Sequence, residues 1–251
     1  MPSYRIDLAY DGTGFRGYAR QDGQRTIQSD LETALETVLG VMPSTSVAGR
    51  TDAGVHARSQ VVSFEVEGDI DELHLARSLN GILGPEIAVS RVIRVEDDFS
   101  ARFSATFRRY RYLLSTAPAI DPLTRHQVWH LGRFLDIAAM RAVAAAVLGE
   151  HDFSAFCRSV EGRSNVRVVD EARWDSGDDL LTFWIQANAF CHQMVRSLVG
   201  FAYDVGRGFI AVDSISEIIE AGDRSRIATV APAHGLTLWE VGYGPGGLGP
   251  G

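Results

Sequence analysis

Apolar and polar positions alternate over residues 4–10, where Ile6, Leu8 and Tyr10 interleave with Arg5, Asp7 and Ala9. A period of two predicts a half-buried strand, and the Asp11-Gly12-Thr13-Gly14 that follows predicts a turn. The period then lengthens to that of a helix. Ile27, Leu31, Ala34, Leu35, Val38 and Leu39 form an apolar stripe, with Thr26 placed to cap its start and Gly40 to stop it, so a helix is expected over residues 27–39. Short strands are expected at 46–48 and 60–66, a helix at 72–83, and a strand at 87–95 beyond Pro85. Strand, helix, strand, strand, helix, strand is the split β-α-β plan of a ferredoxin-like unit.

The second half repeats the plan. Tyr110-Arg111 opens a strand over 110–115 as Tyr4-Arg5 opens the first, and a helix over 137–148 ends in Val147-Leu148-Gly149 as the first ends in Val38-Leu39-Gly40. Strands at 166–174 and 181–187, a helix from about 191 to 205, a short helix at 214–221 and a strand at 236–243 complete the pattern. The expectation is an α/β (α+β) chain of two ferredoxin-like split β-α-β halves, residues 1–105 and 106–243, related by a pseudo-two-fold. Their sheets would be joined edge to edge, with a central cleft for an RNA ligand. Residues 244–251, GPGGLGPG, are too rich in Gly and Pro to pack and are expected to be a flexible tail.

Composition narrows the function. At 251 residues with 45% hydrophobic content the chain is long enough to bury a sizeable core. It has no apolar run near the about 18 residues a membrane span needs, and MPSYRIDLAYDG does not follow the plan of a signal peptide, so a cytoplasmic protein is expected. Cys157 and Cys191 belong to no C-x-x-C or Cys/His spacing and read as buried small apolar residues, and the seven His follow no metal-binding pattern. We therefore expect no metal and no cofactor. The net charge of −8 opposes nucleic-acid binding as an average. All 24 basic residues are Arg, however, and they cluster at Arg16, Arg20, Arg25; Arg102, Arg108, Arg109, Arg111; and Arg158, Arg163, Arg167, Arg173. Two readings stand level: arginines that grip phosphate and stack on bases, or arginines that pair with the 32 acids. The aromatic and basic FRGYARQ at 15–21 divides the same way, between an RNA-gripping loop and a solvated one.

The densest chemistry lies at residues 49–57, GRTDAGVHA. Asp52 sits between Gly49 and Gly54, preceded by Arg50 and followed by His56. Glycines allow close approach of a ligand, and a neighbouring guanidinium favours an ionised carboxylate. T-D-A-G is also an ordinary Asx turn. The full string resembles the signature of the tRNA pseudouridine synthase A family. Further segments resemble it in family order: the opening Y-D-G…F-x-G, SARFSATFRRYRY at 100–112, AFCHQMVRSLVG at 189–200 and APAHGLTLWEVGY at 231–243. Tyr18-Ala19 and Cys191 to Gln193 depart from it.

The resemblance implies that Asp52 is the catalytic nucleophile and that Arg196 pairs with it. It further implies that Tyr110 lies against a flipped uracil, that Arg50 holds the extruded nucleotide's place and that Leu236 packs beneath the base. It also implies a homodimer that isomerises uridine to pseudouridine at positions 38, 39 and 40 of the tRNA anticodon stem-loop. Such an enzyme must take a base out of its stack, at a cost of a few kcal/mol that an aromatic face offsets by about 1–3 kcal/mol. Attack at C1′, addition at C6 or assistance at C2′ all need one ionised acid. Two other classes remain open: a non-catalytic RNA-binding protein of the same fold, and a hydrolase or glycosidase, which would need a second acid within about 5–10 Å.

Overall fold

The computed structural model describes residues 1–158, 162 and 164–244. The GPGGLGPG tail beyond Gly244, and Arg163, lie outside the described residues, as does part of the polar stretch 159–165. The chain divides into two compact units, residues 1–108 with the segment from Thr237 onward, and Arg109–Leu236.

The first unit contains β1 (Ser3–Tyr10), α1 (Ile27–Leu39), β2 (Thr45–Val47), β3 (His56–Glu65), α2 (Glu72–Leu83) and β4 (Ile87–Val95). Its strands run β4-β1-β3-β2, each antiparallel to its neighbour, which is the expected split β-α-β order. Local signals account for the helices. Thr26 Oγ1 accepts from the Ser29 N–H at 3.2 Å while Ser29 Oγ accepts from the Thr26 N–H at 3.0 Å, a capping box at the start of α1. Gly40, at φ 75°, ends it. Asp71 caps α2 by accepting from the His74 N–H at 2.9 Å. Ile27, Leu31, Ala34 and Leu35 of α1 and Leu75, Leu79 and Leu83 of α2 are buried, each large aliphatic contributing about 1.5–3 kcal/mol.

β1 is not half-buried as its alternation predicted. Arg5 is 1% exposed and Asp7 is buried with it, because Arg5 Nε and Arg91 Nε both donate to the Asp7 carboxylate, at 2.6 and 2.9 Å, and the Arg5 guanidinium stacks on Tyr243. The polar face of the strand is a paired second core. β3 begins at His56, four residues before the expected start, and carries a bulge: Leu8 faces Gln60 and Tyr10 faces Ala57, so β3 has one residue more than β1 between those pairs.

The second unit contains most of β5 (Ala105–Ser115), then β6 (Trp129–His130), α3 (Ile137–Ala146), β7 (Gly149–Asp152), β8 (Val166–Ser176), β9 (Leu180–Ala187), α4 (Met194–Gly206) and α5 (Ser214–Ala221). Its strands follow the order β5-β9-β8-β7, with β6 parallel to β5. The short β6 and β7 had no periodic signal. Gly149 does not cap α3, which ends at Ala146; at φ 93° it opens β7 instead. α4 starts at Met194 because Gln193 adopts φ 67°, a left-handed conformation held by Arg224 Nη2 donating to its side-chain oxygen at 2.7 Å. The last strand, β10 (Leu236–Tyr243), runs parallel to the start of β3, Thr237 opposite His56 and Leu238 opposite Ala57.

One expectation about the cysteines is overturned. Cys157 and Cys191 form a disulfide across 34 residues, their Cα atoms 5.7 Å apart. Their separation in sequence hid a pairing that the fold brings about.

Candidate active site

The Asp52 loop lies between β2 and β3 in the first unit and is held at several of its backbone carbonyls. Arg108, itself buried, donates from Nε and Nη2 to the Ala48 carbonyl at 3.0 and 2.8 Å. Gln60 Nε2 donates to the Gly49 carbonyl at 2.7 Å, and the Tyr18 N–H donates to the Thr51 carbonyl at 3.0 Å. The Thr51 hydroxyl is 2.8 Å from the Tyr10 hydroxyl. The Val55 N–H closes a turn on the Asp52 carbonyl at 3.1 Å, and the Gly12 N–H donates to His56 Nδ1 at the same distance. Gly17, at φ 98°, passes so close that a Cβ there would stand 3.0 Å from the Thr51 carbonyl oxygen. Arg50 is exposed and Asp52 half-exposed, two residues apart on this loop.

Tyr110, Arg196 and Leu236 belong to the second unit. Tyr110, on β5, is buried and meets Phe190 edge-on at 5.0 Å between ring centres. Arg196 is in the first turn of α4, where its Nε donates to the Ala231 carbonyl at 2.8 Å while the Ala231 N–H donates to the Arg196 carbonyl at 3.0 Å. The same 231–236 segment reaches Tyr112, whose hydroxyl donates to the Pro232 carbonyl at 2.9 Å. Burial pushes the Tyr112 phenol well above its usual range, opposed by the charge of Arg196. Leu236 is buried at the end of that segment. Arg50 and Asp52 thus share one loop of the first unit, and Arg196 is tied to the segment that ends at Leu236 in the second.

The chain carries a match to the family described as tRNA pseudouridine synthase over residues 143–244. It is 44% identical over 248 residues to the tRNA pseudouridine synthase A of Streptomyces griseus, covering 95% of this chain and 87% of that protein. The protein of the same name in Frankia casuarinae is 44% identical, with 96% and 89% covered. That of Listeria monocytogenes serovar 1/2a is 38% identical, with 97% and 100% covered. The chain belongs to the tRNA pseudouridine synthase A family.

As a pseudouridine synthase it is an isomerase acting on uridine in tRNA, exchanging the N1–C1′ bond for one from C5 to C1′ with no net change in composition. The ion pairs of the structure decide how several of the arginines are used. Arg20 pairs with Glu32 at 2.8 Å, Arg25 with Asp30 and Glu86 at 2.9 and 2.7 Å, Arg109 with Glu171 at 3.0 Å, and Arg173 with Glu171 and Asp175. In these positions acid pairing, not a free basic surface, is what the clusters supply. Tyr18 is 1% exposed and Phe15 is also buried, so the aromatic residues of the FRGYARQ loop are core rather than an RNA-facing platform.

Three residues that support the Asp52 loop escaped sequence reasoning as functional positions: Tyr10, Gln60 and Arg108. Gln60 carried a signal, being a lone amide at the head of the apolar run QVVSFEV. Tyr10 lay in the Y-D-G string and Arg108 in SARFSATFRRYRY and an arginine cluster, but nothing in those stretches showed that either side chain reaches the Asp52 loop.

Proposed function

We propose that this synthase isomerises uridine at positions 38, 39 and 40 of the tRNA anticodon stem-loop, with Asp52 as the nucleophile and without metal or cofactor. The observation that carries the reading is Asp52 itself, in an intact GRTDAGVH string on a loop whose backbone is pinned on both sides. A carboxylate that reacts with a base must be ionised, and a guanidinium beside it favours that form. Arg196 supplies that partner by pairing with Asp52. Tyr110 lies against the flipped uracil, Leu236 packs beneath it, and Arg50 holds the place the nucleotide has left. Tyr110 is also placed by this reading to remove the proton from C5. The protein works in the cytoplasm as a homodimer that grips one tRNA across both subunits, residues 1–105 carrying the Asp52 loop and 106–243 completing the cleft.

Pseudouridine mapping on bulk tRNA, with the wild-type protein and with Asp52→Asn in parallel, tests this. Modification at 38–40 that vanishes in the variant is the expected result. Modification at other sites would remove the assigned positions, an active Asp52→Asn would remove the nucleophile, and tRNA binding without modification by either protein would leave only an RNA-binding role.

A further inference from the structure

We propose that Gln60, Tyr10 and Thr51 form a one-way hydrogen-bond relay that sets the orientation of the Asp52 loop, with Tyr10 a positioning residue for the chemical step. This rests on Asp52 being the reacting acid, as read above.

The direction follows from donor and acceptor accounting. The Gly49 carbonyl can only accept, so the Gln60 atom 2.7 Å away is its NH2 group, and the Gln60 oxygen is left to accept from the Val61 N–H at 3.2 Å. That same NH2 group lies 3.2 Å from the Tyr10 hydroxyl and must donate to it. Tyr10 is buried, and a buried phenol needs an acceptor for its own proton. Its other hydrogen-bond neighbour is the Thr51 hydroxyl at 2.8 Å, so Tyr10 donates there. Thr51 is left with its hydroxyl proton directed away from Tyr10, on the residue that precedes Asp52. Burial also pushes the Tyr10 phenol up to about 12, so it keeps the proton it donates at any physiological pH.

Gln60 has no exposed surface, and it stands next to the bulge of β3. A fully buried amide in an apolar strand costs free energy unless its bonds are made, and its two donated bonds go to the loop carbonyl and to the tyrosine that touches the loop. The relay therefore fixes the chain on the N-terminal side of Asp52 at Gly49 and Thr51, while the Tyr18 N–H holds the Thr51 carbonyl from another direction. A reacting group displaced by about 1 Å loses on the order of 100-fold in rate.

Tyr10→Phe, Thr51→Val and Thr51→Ser test the relay, each assayed for kcat and KM of pseudouridine formation and for tRNA affinity, at temperatures where circular dichroism shows it folded. Tyr10→Phe and Thr51→Val should lower kcat by about 10- to 100-fold with KM and affinity unchanged, and Thr51→Ser, which keeps the hydroxyl, should recover most of the rate. Wild-type kcat in Tyr10→Phe or Thr51→Val overturns the proposal. So does a loss that falls on KM, one that Thr51→Ser shares in full, or one that tracks unfolding in every variant. Asp52→Ala, run alongside, separates the two readings: if it is inactive while Tyr10→Phe is fully active, the relay alone fails, and if it is active, the role of Asp52 fails first.

Discussion

Replacing Gly200 by Ala sets local and tertiary physics against each other. Gly200 lies inside α4, where Ala is favoured over Gly by about 1 kcal/mol, so helix propensity alone predicts a more stable protein. The fold predicts the reverse. A Cβ on Gly200 would stand 2.7 Å from the Thr229 carbonyl carbon, closer still to its oxygen, and 3.2 Å from the Ala231 nitrogen, where ordinary contacts begin near 3.4 Å. The crowding atoms are all backbone of one segment, with no flexible side chain to yield, so residues 229–231 must move by on the order of 1 Å or more to clear the Thr229 oxygen. Overpacking of this kind costs about 1–3 kcal/mol. The same shift strains the Ala231 N–H bond to the Arg196 carbonyl and the Arg196 Nε bond to the Ala231 carbonyl, at about 1 and 2 kcal/mol. After the helix gain is subtracted, Gly200→Ala should be destabilised by about 3–5 kcal/mol. Because Arg196 moves with the segment, kcat should fall more than KM rises. Urea unfolding followed by circular dichroism, with kcat on tRNA measured on the folded protein, reads both. A Gly200→Ala protein as stable as wild type, or more so, would refute the reasoning.

Other outcomes follow from the same geometry. The Tyr10 phenol is pushed up to about 12 by burial, and Tyr18, Tyr112 and Tyr243 are raised for the same reason. Between pH 10 and 12 the folded state keeps a proton that the unfolded state has lost, so stability is whole below pH 10 and falls as pH rises to 12, by about 3 kcal/mol for Tyr10 alone. Absorbance at 295 nm should then show these phenols ionising only as the protein unfolds; titration of all seven tyrosines near pH 10 in folded protein would contradict this. Arg108→Met removes the donor to the carbonyls of Ala48, Arg102 and Ala105 and should cost about 2–5 kcal/mol in denaturant titration, a loss under 1 kcal/mol counting against the assigned bonds. Reducing the Cys157–Cys191 bridge opens a loop of 34 residues' separation and should lower stability by about 2–4 kcal/mol. A Cys157→Ser/Cys191→Ser protein should be indifferent to reductant, and a wild type equally indifferent would remove the bridge as a stabilising element.

Elements with both a periodic stripe and a cap were legible in the sequence. α1 falls on the expected residues because Thr26 and Gly40 mark its ends locally, and α2, α5, β4 and β10 also fall on theirs. Elements set by partners were not. β1 reads as half-buried until Arg91 and Tyr243 arrive to cover Arg5 and Asp7, and α3 reads two residues too long because the turn at Gly149 belongs to a strand paired with β8. The site divides in the same way. Asp52 was visible because its neighbours in sequence carry the chemistry, whereas the support from Tyr10, Gln60 and Arg108 converges from three places in the chain. The arginine clusters left two readings level, since a run of arginines looks the same whether its acids are near or far, and the fold shows acid partners at Arg20, Arg25, Arg109 and Arg173.

β10 pairs with β3 at His56 and Ala57, directly after the Asp52 loop, yet it is made after every other described strand. On the ribosome the loop, its arginine brace and its tyrosine supports are all complete before residue 110 has been added, and they then wait through the whole of the second unit for their parallel neighbour. A chain that stops short of Thr237 therefore has the reactive-looking loop without the strand beside it. The first unit is finished only after the whole of the second has been made, so translation itself times when the Asp52 loop acquires its full setting.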